Sequence, residues 1–443
     1  MFSKLSLRFT AVEQMPSSMI PLIPSLKELD MSGLSMRDAS SALVPVKNIE
    51  LPRSWHSFFS FGLFPRKNPD PVSLVLASLK DLRFLKSLNL EYCNLCEGAI
   101  PEDIGLLSSL ESLILDGNHF VSLPASISGL SKLGWFTLEN CKRLQKLPSL
   151  PSNGPLDVYV NTDNCTSLKI FPDPLPMCNG GSYTWISSLN CFSLIDHQGS
   201  NSIIFLTLKK FLQEIPRSLG FFSIVIPGSE IPEWFNNQSV GDSVIETLPS
   251  DSNSKWVGVA LCALFVHVEE ISATERNQIL FRRLFDLNTP ATVAQVIDVI
   301  DVASDHLWSI LLPREGLFEG APGTYWREKC HDRKIRFRFE VGTSYREGNR
   351  WVKMNLKVKK CGVRILYEQD AEELNRTMKQ YSNRKNSFYE DVTDCDFDKT
   401  DKVQGAITKR TREQYCNEAG PSGIDSFGKE SSASKEELKG WYC

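Results

Sequence analysis

The sequence predicts an α/β solenoid of short repeats, followed by an all-β sandwich of the jelly-roll or immunoglobulin-like type and a disordered C-terminal tail. Five copies of one nine-residue pattern lie within the first 170 of the 443 residues. Between residues 221 and 367, short runs of β-branched and aromatic residues alternate with turn residues, which is typical of a sandwich. From about Glu368 onward the chain is polar, charged and almost free of aliphatic residues, as disordered segments are.

The repeated pattern is L-x-x-L-x-L-x-x-N/C, the core of a leucine-rich repeat. Three copies are complete, and their pattern residues are Leu85, Leu88, Leu90 and Cys93; Leu110, Leu113, Leu115 and Asn118; and Leu133, Phe136, Leu138 and Cys141. Two copies are weaker, and they contain Leu26, Leu29, Met31 and Leu34, and Val160, Thr162 and Cys165. The complete copies start 25 and 23 residues apart, a spacing that suits such repeats. An irregular copy over residues 46–54 would make residues 55–84 an insertion rich in Phe and Pro.

Alternating apolar residues in each copy predict a short strand with one buried face, for example at Leu113 and Leu115. The Asn or Cys that follows should turn inward, where its side chain can bond backbone groups of the neighbouring coil that would otherwise be buried unpaired. Asn118 is therefore predicted to be buried and bonded to an adjacent coil. After Pro101 and Pro124, apolar spacings of three and four residues predict a helical or 3₁₀ turn on the outer side.

The repeats are predicted to end at a change in composition near residue 171. Phe171–Pro176 and Asn179–Gly181 have the Pro and Gly content of a linker. The predicted domains are the repeats over 1–170, the linker over 171–189, the sandwich over 190–368 and the tail over 369–443. Residues 201–212 have the spacing of one amphipathic helix. The strands predicted beyond it are Phe221–Ile226, Ser243–Leu248, Trp256–Val268, His306–Leu312, Ile335–Val341, Val352–Val358 and Val363–Tyr367.

Composition argues against several classes of protein. A net charge of −4 and a pI of about 6.0 give no chain-wide signal for nucleic-acid binding. The longest apolar run, Val257–Val266, is too short to span a bilayer, and residues 1–15 lack the apolar block of a signal peptide. Cysteines at the repeat's own Cys position favour a reduced intracellular protein, so we expect a cytoplasmic location and leave the nucleus open. Cys93-x-x-Cys96 has no second pair with matching spacing, so neither a metal nor a cofactor is expected.

The segment Ser223–Phe235 reads SIVIPGSEIPEWF. It resembles the signature strand of the jelly-roll/Ig-like domain, called C-JID, that follows the repeats in plant TIR–nucleotide-binding–leucine-rich-repeat disease-resistance receptors. Further elements of that domain stand in the same order, at Asn190–Phe192, Trp256–Ala260, Asp305–Trp308 and Lys360–Arg364. The sequence DNCTSL at Asp163–Leu168 resembles the family's repeats, and the resemblance covers roughly residues 15–368.

The resemblance implies a recognition module that binds a pathogen effector protein and other domains of its receptor, without enzymatic activity of its own. No G-x-x-x-x-G-K-[ST] phosphate loop is found and there is no room for a TIR domain, so the chain looks like the C-terminal sensing half of such a receptor. We therefore expect no NAD cleavage, no membrane partner, and oligomers only through domains outside this chain. The alternatives are an intramolecular clamp on a signalling domain and, less favoured, a carbohydrate-binding or hydrolytic jelly roll.

A repeat solenoid presents a curved surface on which large partners bind. Side chains alternate along a strand, so the x positions around the strand leucines are predicted to face outward on the concave side. These predicted partner-binding residues are Ser87, Asn89, Glu91, Ser112, Ile114, Asp116, Trp135, Thr137 and Glu139. Trp135 and Ile114 would then be exposed beside an acidic column of Glu91, Asp116 and Glu139, an arrangement typical of binding hot spots.

Positive charge is concentrated near the end of the predicted sandwich. Residues 327–364 hold thirteen Lys or Arg against four acids. The basic residues alternate with apolar ones, which predicts one basic sheet face. Its residues are Lys334, Arg336, Arg338, Lys353, Lys357 and Lys359. This face is interpreted either as a solvated surface or as a docking face for an anionic partner, and nucleic acid is disfavoured because no aromatic stacking platform accompanies it.

No catalytic site is predicted. Gly228-Ser229 lacks the first Gly of a G-x-S-x-G elbow, and no motif joins Asp305 or His306 to it. Trp234 is interpreted as a core anchor rather than as part of a ligand cage, and so is Trp256.

Overall fold

The computed structural model of the chain describes residues 3–8, 25–34, 72, 76, 81–151, 157–172, 183–214, 221–249, 255–267, 277–284, 292–299, 302–317, 334–343, 356–374 and 376, all within the unit Met1–Val392. Several predictions lie outside the described residues: the irregular copy at 46–54, most of the insertion at 55–84, Lys353, and the tail beyond residue 376. The described part is mostly β structure with few helices, which confirms the predicted β-rich character.

Among the described residues, the repeat region has seven short strands, each hydrogen-bonded in parallel to the next. They are β1 (Lys4–Ser6), β2 (Glu28–Asp30), β3 (Ser87–Asn89), β4 (Ser112–Ile114), β5 (Trp135–Thr137), β6 (Val158–Asn161) and β7 (Thr184–Ser187). In β2 to β5 the middle residue is buried, as expected for a strand with one covered face. The leucine-rich repeats are therefore confirmed, and β1 and β7 add strands that the pattern did not predict.

The chain leaves each of the strands β2 to β7 through a residue with positive φ, directly before the Asn or Cys position. These residues, with φ between 53° and 72°, are Gly33, Tyr92, Gly117, Asn140, Asn164 and Asn190. Gly and Asn tolerate this backbone conformation best, so each supplies the turn at low cost. Tyr92 is the exception. Its ring occupies the space that a Cβ at Gly117 of the next coil would need.

Asn118 is fully buried, as predicted. Its amide donates to the carbonyl oxygens of Leu90 at 2.9 Å and Leu115 at 2.8 Å, and its own carbonyl accepts the N–H of Leu95 at 3.0 Å. Leu90 and Leu95 belong to the preceding coil. Asn118 therefore pairs backbone groups that burial would otherwise leave unsatisfied.

Cysteines take the same place in the other coils, and each thiol donates to a carbonyl one coil earlier. The bonds run, at S···O distances of 3.0–3.3 Å, from Cys93 to Met31, from Cys141 to Leu115, from Cys165 to Leu138 and from Cys191 to Thr162. We call Asn118 and these four cysteines the inner ladder. Burial raises the thiol pKa of Cys165 and Cys191, so these thiols act as packed donors rather than as nucleophiles.

Part of the predicted linker at 171–189 is a repeat coil instead. Residues 184–187 form β7, which pairs in parallel with β6, and Cys191 extends the inner ladder. The dipeptide Asn190-Cys191 repeats Asn140-Cys141 and marks this coil in the sequence, although the strand leucines are absent. The repeats therefore continue past the predicted boundary at residue 170.

On the outer side, 3₁₀ helices cover Glu102–Leu106 and Ala125–Gly129, each directly after the proline that predicted it. Ile104, which is part of the first helix, is buried. The two helices pack closely at Gly105, where a Cβ would lie 2.6 Å from the carbonyl oxygen of Ser126.

Beyond β7 the parallel ladder passes directly into an antiparallel region. Its strands are β8 (Phe222–Pro227), β9 (Asn237–Val240), β10 (Ser243–Thr247), β11 (Trp256–His267), β12 (Asn277–Leu284), β13 (Thr292–Val299), β14 (His306–Pro313), β15 (Lys334–Thr343) and β16 (Leu356–Tyr367). β8 pairs in parallel with β7 and antiparallel with β14. One twelve-stranded sheet therefore runs in the order β1-β2-β3-β4-β5-β6-β7-β8-β14-β11-β16-β9, and a second sheet has the order β10-β15-β12-β13.

Most predicted strands agree with β8, β10, β11, β14 and β15 within a few residues. Val352–Val358 and Val363–Tyr367 were predicted as two strands, but residues 356–367 form the single strand β16. Gly362 of β16 lies against Phe235, where a Cβ would be 3.0 Å from that side chain, so close packing explains this glycine. The strands β9, β12 and β13 were not predicted, because their polar residues obscure the alternation of polar and apolar positions.

In the described residues, α-helix covers α1 (Ser193–His197), α2 (Ser200–Glu214) and α3 (Arg314–Leu317), and a further short stretch lies at 370–374. The predicted helix at 201–212 is α2. Its residues Ile203, Leu208 and Phe211 are buried in the apolar cluster that also contains the repeat leucines. None of the helices in the described residues has the length and apolar character needed to cross a membrane.

A second apolar cluster joins the two sheets. It contains Val259 of β11 and Val363 of β16 from one sheet, and Phe337 of β15 from the other. Trp308 of β14 packs edge-on against Phe339 of β15, with ring centroids 5.5 Å apart. The core of the antiparallel region is therefore formed by side chains from both sheets.

Trp234 and Trp256 are core anchors, as predicted, with 8% and 3% of their surface exposed. The guanidinium of Arg364 lies 4.2 Å from the Trp234 ring centroid. It also donates to Asp370 at 3.2 Å and to Glu373 at 2.8 Å. Residues 370–374, predicted as part of the disordered tail, are helical, and two of their carboxylates form this clamp with Arg364.

Candidate partner-binding surface

The parallel register lines up the outward side chains of the repeat strands in two rows. The first row contains Glu28, Ser87, Ser112, Trp135, Tyr159 and Trp185. The second row contains Asp30, Asn89, Ile114, Thr137, Asn161 and Ser187. These positions flank the middle residue of each strand, so they share the face opposite to it. We call this face the repeat face.

Six of the nine predicted partner-binding residues are partly exposed on the repeat face or beside it. They are Ser87, Asn89, Glu91, Ile114, Trp135 and Glu139. The predicted exposure of the other three is wrong, because Ser112, Asp116 and Thr137 are only 7%, 2% and 3% exposed. Neighbouring strands lie about 4.8 Å apart, so larger side chains shield short ones in the adjacent coils.

Asp116 is buried because its carboxylate binds the next coil. Its Oδ1 accepts the N–H of Glu139 at 2.8 Å. The same link recurs at Asp163, whose Oδ1 accepts the Leu189 N–H at 2.7 Å and the Ser187 hydroxyl at 2.6 Å. Burial raises the pKa of Asp163 to about 6, against the lowering effect of these two hydrogen bonds, and the charge of Asp116 raises it further.

Three aromatic side chains, Trp135, Tyr159 and Trp185, stand side by side on β5, β6 and β7. We call them the aromatic row. The rings of Trp135 and Tyr159 are stacked, with centroids 4.2 Å apart and planes inclined by 16°. Trp185 lies 6.3 Å from Trp308 of β14, measured between ring centroids. All three members are half-buried, so each presents part of a fixed apolar surface.

Only one member of the aromatic row, Trp135, was predicted from the sequence. Tyr159 lies in a weak repeat copy, and Trp185 lies in the predicted linker. A usable signal was present, because each aromatic precedes its ladder cysteine by six residues. Aligning the chain on Cys141, Cys165 and Cys191 would have found the whole row.

Carboxylates follow the second row, two residues further along the chain, so the second row lies between them and the aromatic row. The predicted acidic column of Glu91, Asp116 and Glu139 is extended by Asp163 in the next coil. The negative charge of the acidic column acts on Tyr92, which is 47% exposed. Burial raises the pKa of the Tyr92 phenol, and the charges of Glu139, Glu91 and Asp116 raise it further. The surface therefore combines aromatic rings with negative charge.

The prediction of one basic sheet face is wrong. Lys334, Arg336 and Arg338 lie on β15, which pairs with β10 and β12. Lys357 and Lys359 lie on β16, which belongs to the other sheet. The apolar residues of both strands enter the same cluster, so the two basic sets point away from it on different sheets.

His306 is a buried residue that links backbone segments by hydrogen bonds, and it is not a catalytic base. Its Nε2 accepts the N–H of Asn190 at 2.9 Å, so Nδ1 carries the proton and donates to the Ser304 carbonyl oxygen at 2.8 Å. Burial lowers the pKa of the imidazole to about 4. Both ring nitrogens are bonded to backbone groups, and Ser229 is exposed. Among the described residues, no three potential metal ligands come together.

Comparison with known families shows which domain the antiparallel region resembles. Residues 226–372 match the family model described as the C-JID domain. The chain carries a C-JID domain. Its matched range begins in β8 and ends in the short helix clamped by Arg364. This domain was predicted to start at residue 190, but residues up to 191 belong to the repeats.

Similar proteins are plant disease-resistance proteins that extend beyond the C-JID domain. The disease resistance-like protein DSC1 of Arabidopsis thaliana is 29% identical over 259 residues, which cover 55% of this chain and 20% of that protein. The TMV resistance protein N of Nicotiana glutinosa is 32% identical over 193 residues, or 41% of this chain and 16% of that protein. The disease resistance protein RPS4 of Arabidopsis thaliana is 25% identical over 325 residues, or 68% and 26%.

This chain spans between 16% and 26% of the length of these three relatives. Among solved structures, a leucine-rich-repeat protein of Leptospira interrogans matches 44% of this chain and 70% of its own, with 18% identity and a TM-score of 0.16. The predicted resemblance to the repeat and C-JID part of plant disease-resistance receptors is confirmed.

Proposed function

We propose that this chain is the recognition module of an intracellular plant immune receptor, acting in the cytoplasm and binding a pathogen effector protein. In this proposal a repeat solenoid and a C-JID β-sandwich form one recognition unit, followed by a disordered tail. The observation that carries the proposal is the aromatic row on the repeat face, with the acidic column beyond the second row. The chain itself supplies binding and not catalysis.

The aromatic row has the properties of an interface hot spot. Large aromatic side chains bury much apolar area on binding and lose little conformational entropy, because few torsions must be fixed. The stacking of Trp135 on Tyr159 holds both rings before a partner arrives. Pre-organisation of this kind strengthens binding because the ordering cost has already been met in folding.

The acidic column gives the surface a preference among partners. Carboxylates and an aromatic platform on one surface favour a partner with more than one cationic side chain, since one Arg or Lys can stack on a ring while another pairs with a carboxylate. An effector that presents a basic loop therefore fits this surface better than an acidic one. Complementary charge would chiefly speed association and exclude wrong partners.

The test is a binding assay of the full chain against a panel of purified pathogen effector proteins. For an effector that binds, we expect Trp135→Ala to weaken affinity by about 2 kcal/mol or more, roughly thirtyfold. Trp185→Ala should also weaken it. Phe84, which is 65% exposed and lies outside the aromatic row, provides the matched control variant Phe84→Ala.

Wild-type affinity in both tryptophan variants, each shown to be folded, would contradict the proposal. The alternative of an intramolecular clamp makes a different prediction for the same variants. In that case Trp135→Ala would reduce binding of the receptor's own signalling domains and leave effector binding unchanged.

A further inference from the structure

Beyond the inner ladder, each repeat coil continues into a short segment that is separate from the repeat face. In one coil, Leu144 and Leu147 are buried three residues apart. Leu168 and Phe171 repeat this spacing in the next coil. The two residues between each buried pair point outward, and they are Gln145 and Lys146 in the first coil and Lys169 and Ile170 in the second.

Backbone hydrogen bonds hold these segments side by side. The N–H of Lys169 donates to the carbonyl oxygen of Gln145 at 2.9 Å, and the N–H of Gln145 donates to that of Val121 at 3.0 Å. Lys146 and Ile170 face each other in a parallel β-bridge. Chains paired in this way lie about 4.8 Å apart, so Lys146, Lys169 and Ile170 are neighbours on one surface.

Positive charge is concentrated on this surface. Lys142 and Arg143 are exposed in the turn that comes directly before Leu144. We call Lys142, Arg143, Lys146 and Lys169 the basic flank. The parts of three successive coils that meet here, residues 117–124, 140–151 and 164–172, contain no Asp or Glu. The basic flank therefore brings four cations together, in a chain whose net charge is −4.

Within the described part of the chain, no ion pair involves a residue of the basic flank. Arg143 acts electrostatically on Glu97. The Glu97 carboxylate is already engaged, because its Oε2 accepts the N–H groups of Val121 at 2.7 Å and Ser122 at 2.9 Å. Repulsion between uncompensated like charges costs free energy, and carboxylates from outside the chain would relieve it.

An apolar side chain lies among these cations. Ile170 is 48% exposed, and it is the bridge partner of Lys146 and the chain neighbour of Lys169. An exposed isoleucine gains free energy when a partner covers it. We propose that the basic flank, together with Ile170, docks an acidic segment of a partner protein that carries an apolar side chain among its carboxylates.

A protein segment suits this surface better than nucleic acid or a membrane. None of the outward neighbours Val121, Ser122, Gln145 and Ile170 is aromatic, so they offer no platform for stacking bases. One exposed isoleucine is too little apolar surface to hold a lipid interface. The basic flank shares no residue with the repeat face, so this proposal and the proposed function can fail independently.

The test uses the full chain and two fluorescein-labelled peptides of equal charge, measured by fluorescence polarisation. The leucine peptide has the sequence Asp-Glu-Asp-Leu-Asp-Glu-Asp, and in the serine peptide a serine replaces the leucine. We expect the leucine peptide to bind about fivefold more tightly, because it also covers Ile170. Affinity for both peptides should fall steeply toward 1 M salt, where the Debye length is about 3 Å.

The charge is tested with K142Q/K146Q, which should weaken binding of the leucine peptide roughly fivefold, as expected for two exposed charge pairs. The matched control is K357Q/K359Q, which removes the same charge from two exposed positions of β16 and should change affinity less than about twofold. K142R/K146R keeps the charge and should retain most of the binding. Thermal unfolding followed by circular dichroism verifies that each variant is folded.

The apolar contact is tested with Ile170→Ser. This variant should bind the leucine peptide no more tightly than the serine peptide, and its affinity for the serine peptide should stay unchanged. The matched control is Ile245→Ser, since Ile245 is 46% exposed on the second sheet. It should keep the preference for the leucine peptide.

Three results would overturn the proposal. One is equal loss of affinity in K142Q/K146Q and K357Q/K359Q, which would indicate a nonspecific charge effect. Another is equal binding of the leucine and serine peptides to the wild-type chain, which would indicate a site for anions in general. The third is failure of the leucine peptide to bind, whether or not vesicles rich in phosphatidylserine or a single-stranded oligonucleotide bind in a manner that depends on Lys142 and Lys146.

Discussion

At the scale of single residues, the inner ladder shows how one position determines the stacking of coils. Asn118 makes bonds to three carbonyls and one amide, while a cysteine in the same place makes one bond to a carbonyl of the preceding coil. The position is buried in all five members of the inner ladder, and each of these side chains offers a donor. An apolar residue of similar size would leave backbone groups unpaired.

We therefore expect Asn118→Leu to lower the free energy of unfolding by about 1–3 kcal/mol, the cost of leaving buried polar groups unpaired. Urea denaturation followed by circular dichroism measures this change. Cys141→Asn should be tolerated better than Cys141→Ser, because the longer amide can span the gap to the carbonyl that the thiol now reaches. A neutral Asn118→Leu variant would show that these bonds add nothing to stability.

Asp163 offers a second prediction at this scale, in the dependence of stability on pH. Its pKa is raised to about 6 in the folded chain, above its ordinary value of 3.8. Between these two values the folded state binds more protons than the unfolded state, so this group makes stability fall as pH rises. The full loss is on the order of 3 kcal/mol above pH 6, an upper figure because the side chain keeps some solvent contact.

Asp163→Asn should therefore stabilise the protein above pH 6 and have little effect near pH 4. The asparagine Oδ1 can still accept the hydrogen bonds from Ser187 and Leu189, so the variant mainly removes a charge. Denaturation measured at several pH values between 4 and 8 gives the comparison. The variant Ser187→Ala should act in the opposite direction, since it removes a bond that favours the ionised carboxylate.

At the scale of elements, the junction between β7 and β14 depends on Asn190. This residue has a φ of 60°. Its side chain donates to Asn164 at 2.8 Å and accepts the N–H of Ala303 at 3.0 Å, and its own N–H donates to His306 at 2.9 Å. It thus joins the last repeat coil to the start of a C-JID strand.

Two substitutions separate the backbone role of Asn190 from its side-chain role. Asn190→Gly keeps the left-handed conformation and loses only the side-chain bonds. Asn190→Ala loses the bonds and adds the strain of a left-handed residue with a Cβ, about 1 kcal/mol. We expect alanine to be the more destabilising of the two by that amount in urea denaturation. Equal stability of the two variants would contradict the assigned strain.

His306 adds a pH dependence of opposite sign at the same junction. Its pKa is lowered to about 4, below its ordinary value of 6.5, so the unfolded state binds more protons between these values. This group therefore makes stability fall as pH drops from 6.5 to 4, where protonation would break the bond from the Asn190 N–H. His306→Gln should remove this fall in stability on acidification, as measured by thermal unfolding across that range.

At the scale of the whole molecule, the repeats and the C-JID domain share one sheet and one apolar cluster. Leu307, Leu311 and Leu366 of the C-JID domain belong to the same buried cluster as the repeat leucines. β8 is paired on one side with a repeat strand and on the other with β14. Separating the two regions would therefore expose both a sheet edge and apolar surface.

We expect β7 and β8 to unfold together. Hydrogen exchange of their backbone amides should show equal protection, and both should lose it in the same transition in urea. A chain that starts at residue 221 lacks β7, so it should be less soluble and less stable than the full chain. Two well-separated transitions for β7 and β8 would contradict this coupling.

The features that the sequence determined by itself are local ones. The period of the leucines, the Asn or Cys that follows them and the prolines before the 3₁₀ helices all act within about 25 residues, so the pattern predicts the repeat strands and the burial of Asn118 directly. The segment Ser223–Phe235 predicted the C-JID domain through its resemblance to the signature strand of that domain. Side-chain alternation also predicted the partial exposure of six of the nine proposed partner-binding residues, Trp135 and Ile114 among them.

Only the tertiary structure decided which strands pair. β15 and β16 have the same alternation of basic and apolar residues, but β15 pairs with β10 and β12 while β16 pairs with β11 and β9. Alternation specifies which side of a strand faces the core and not which strand lies beside it, because pairing depends on long-range packing. For the same reason the predicted basic face divides between two sheets, whereas Trp135, Tyr159 and Trp185 come together in one row.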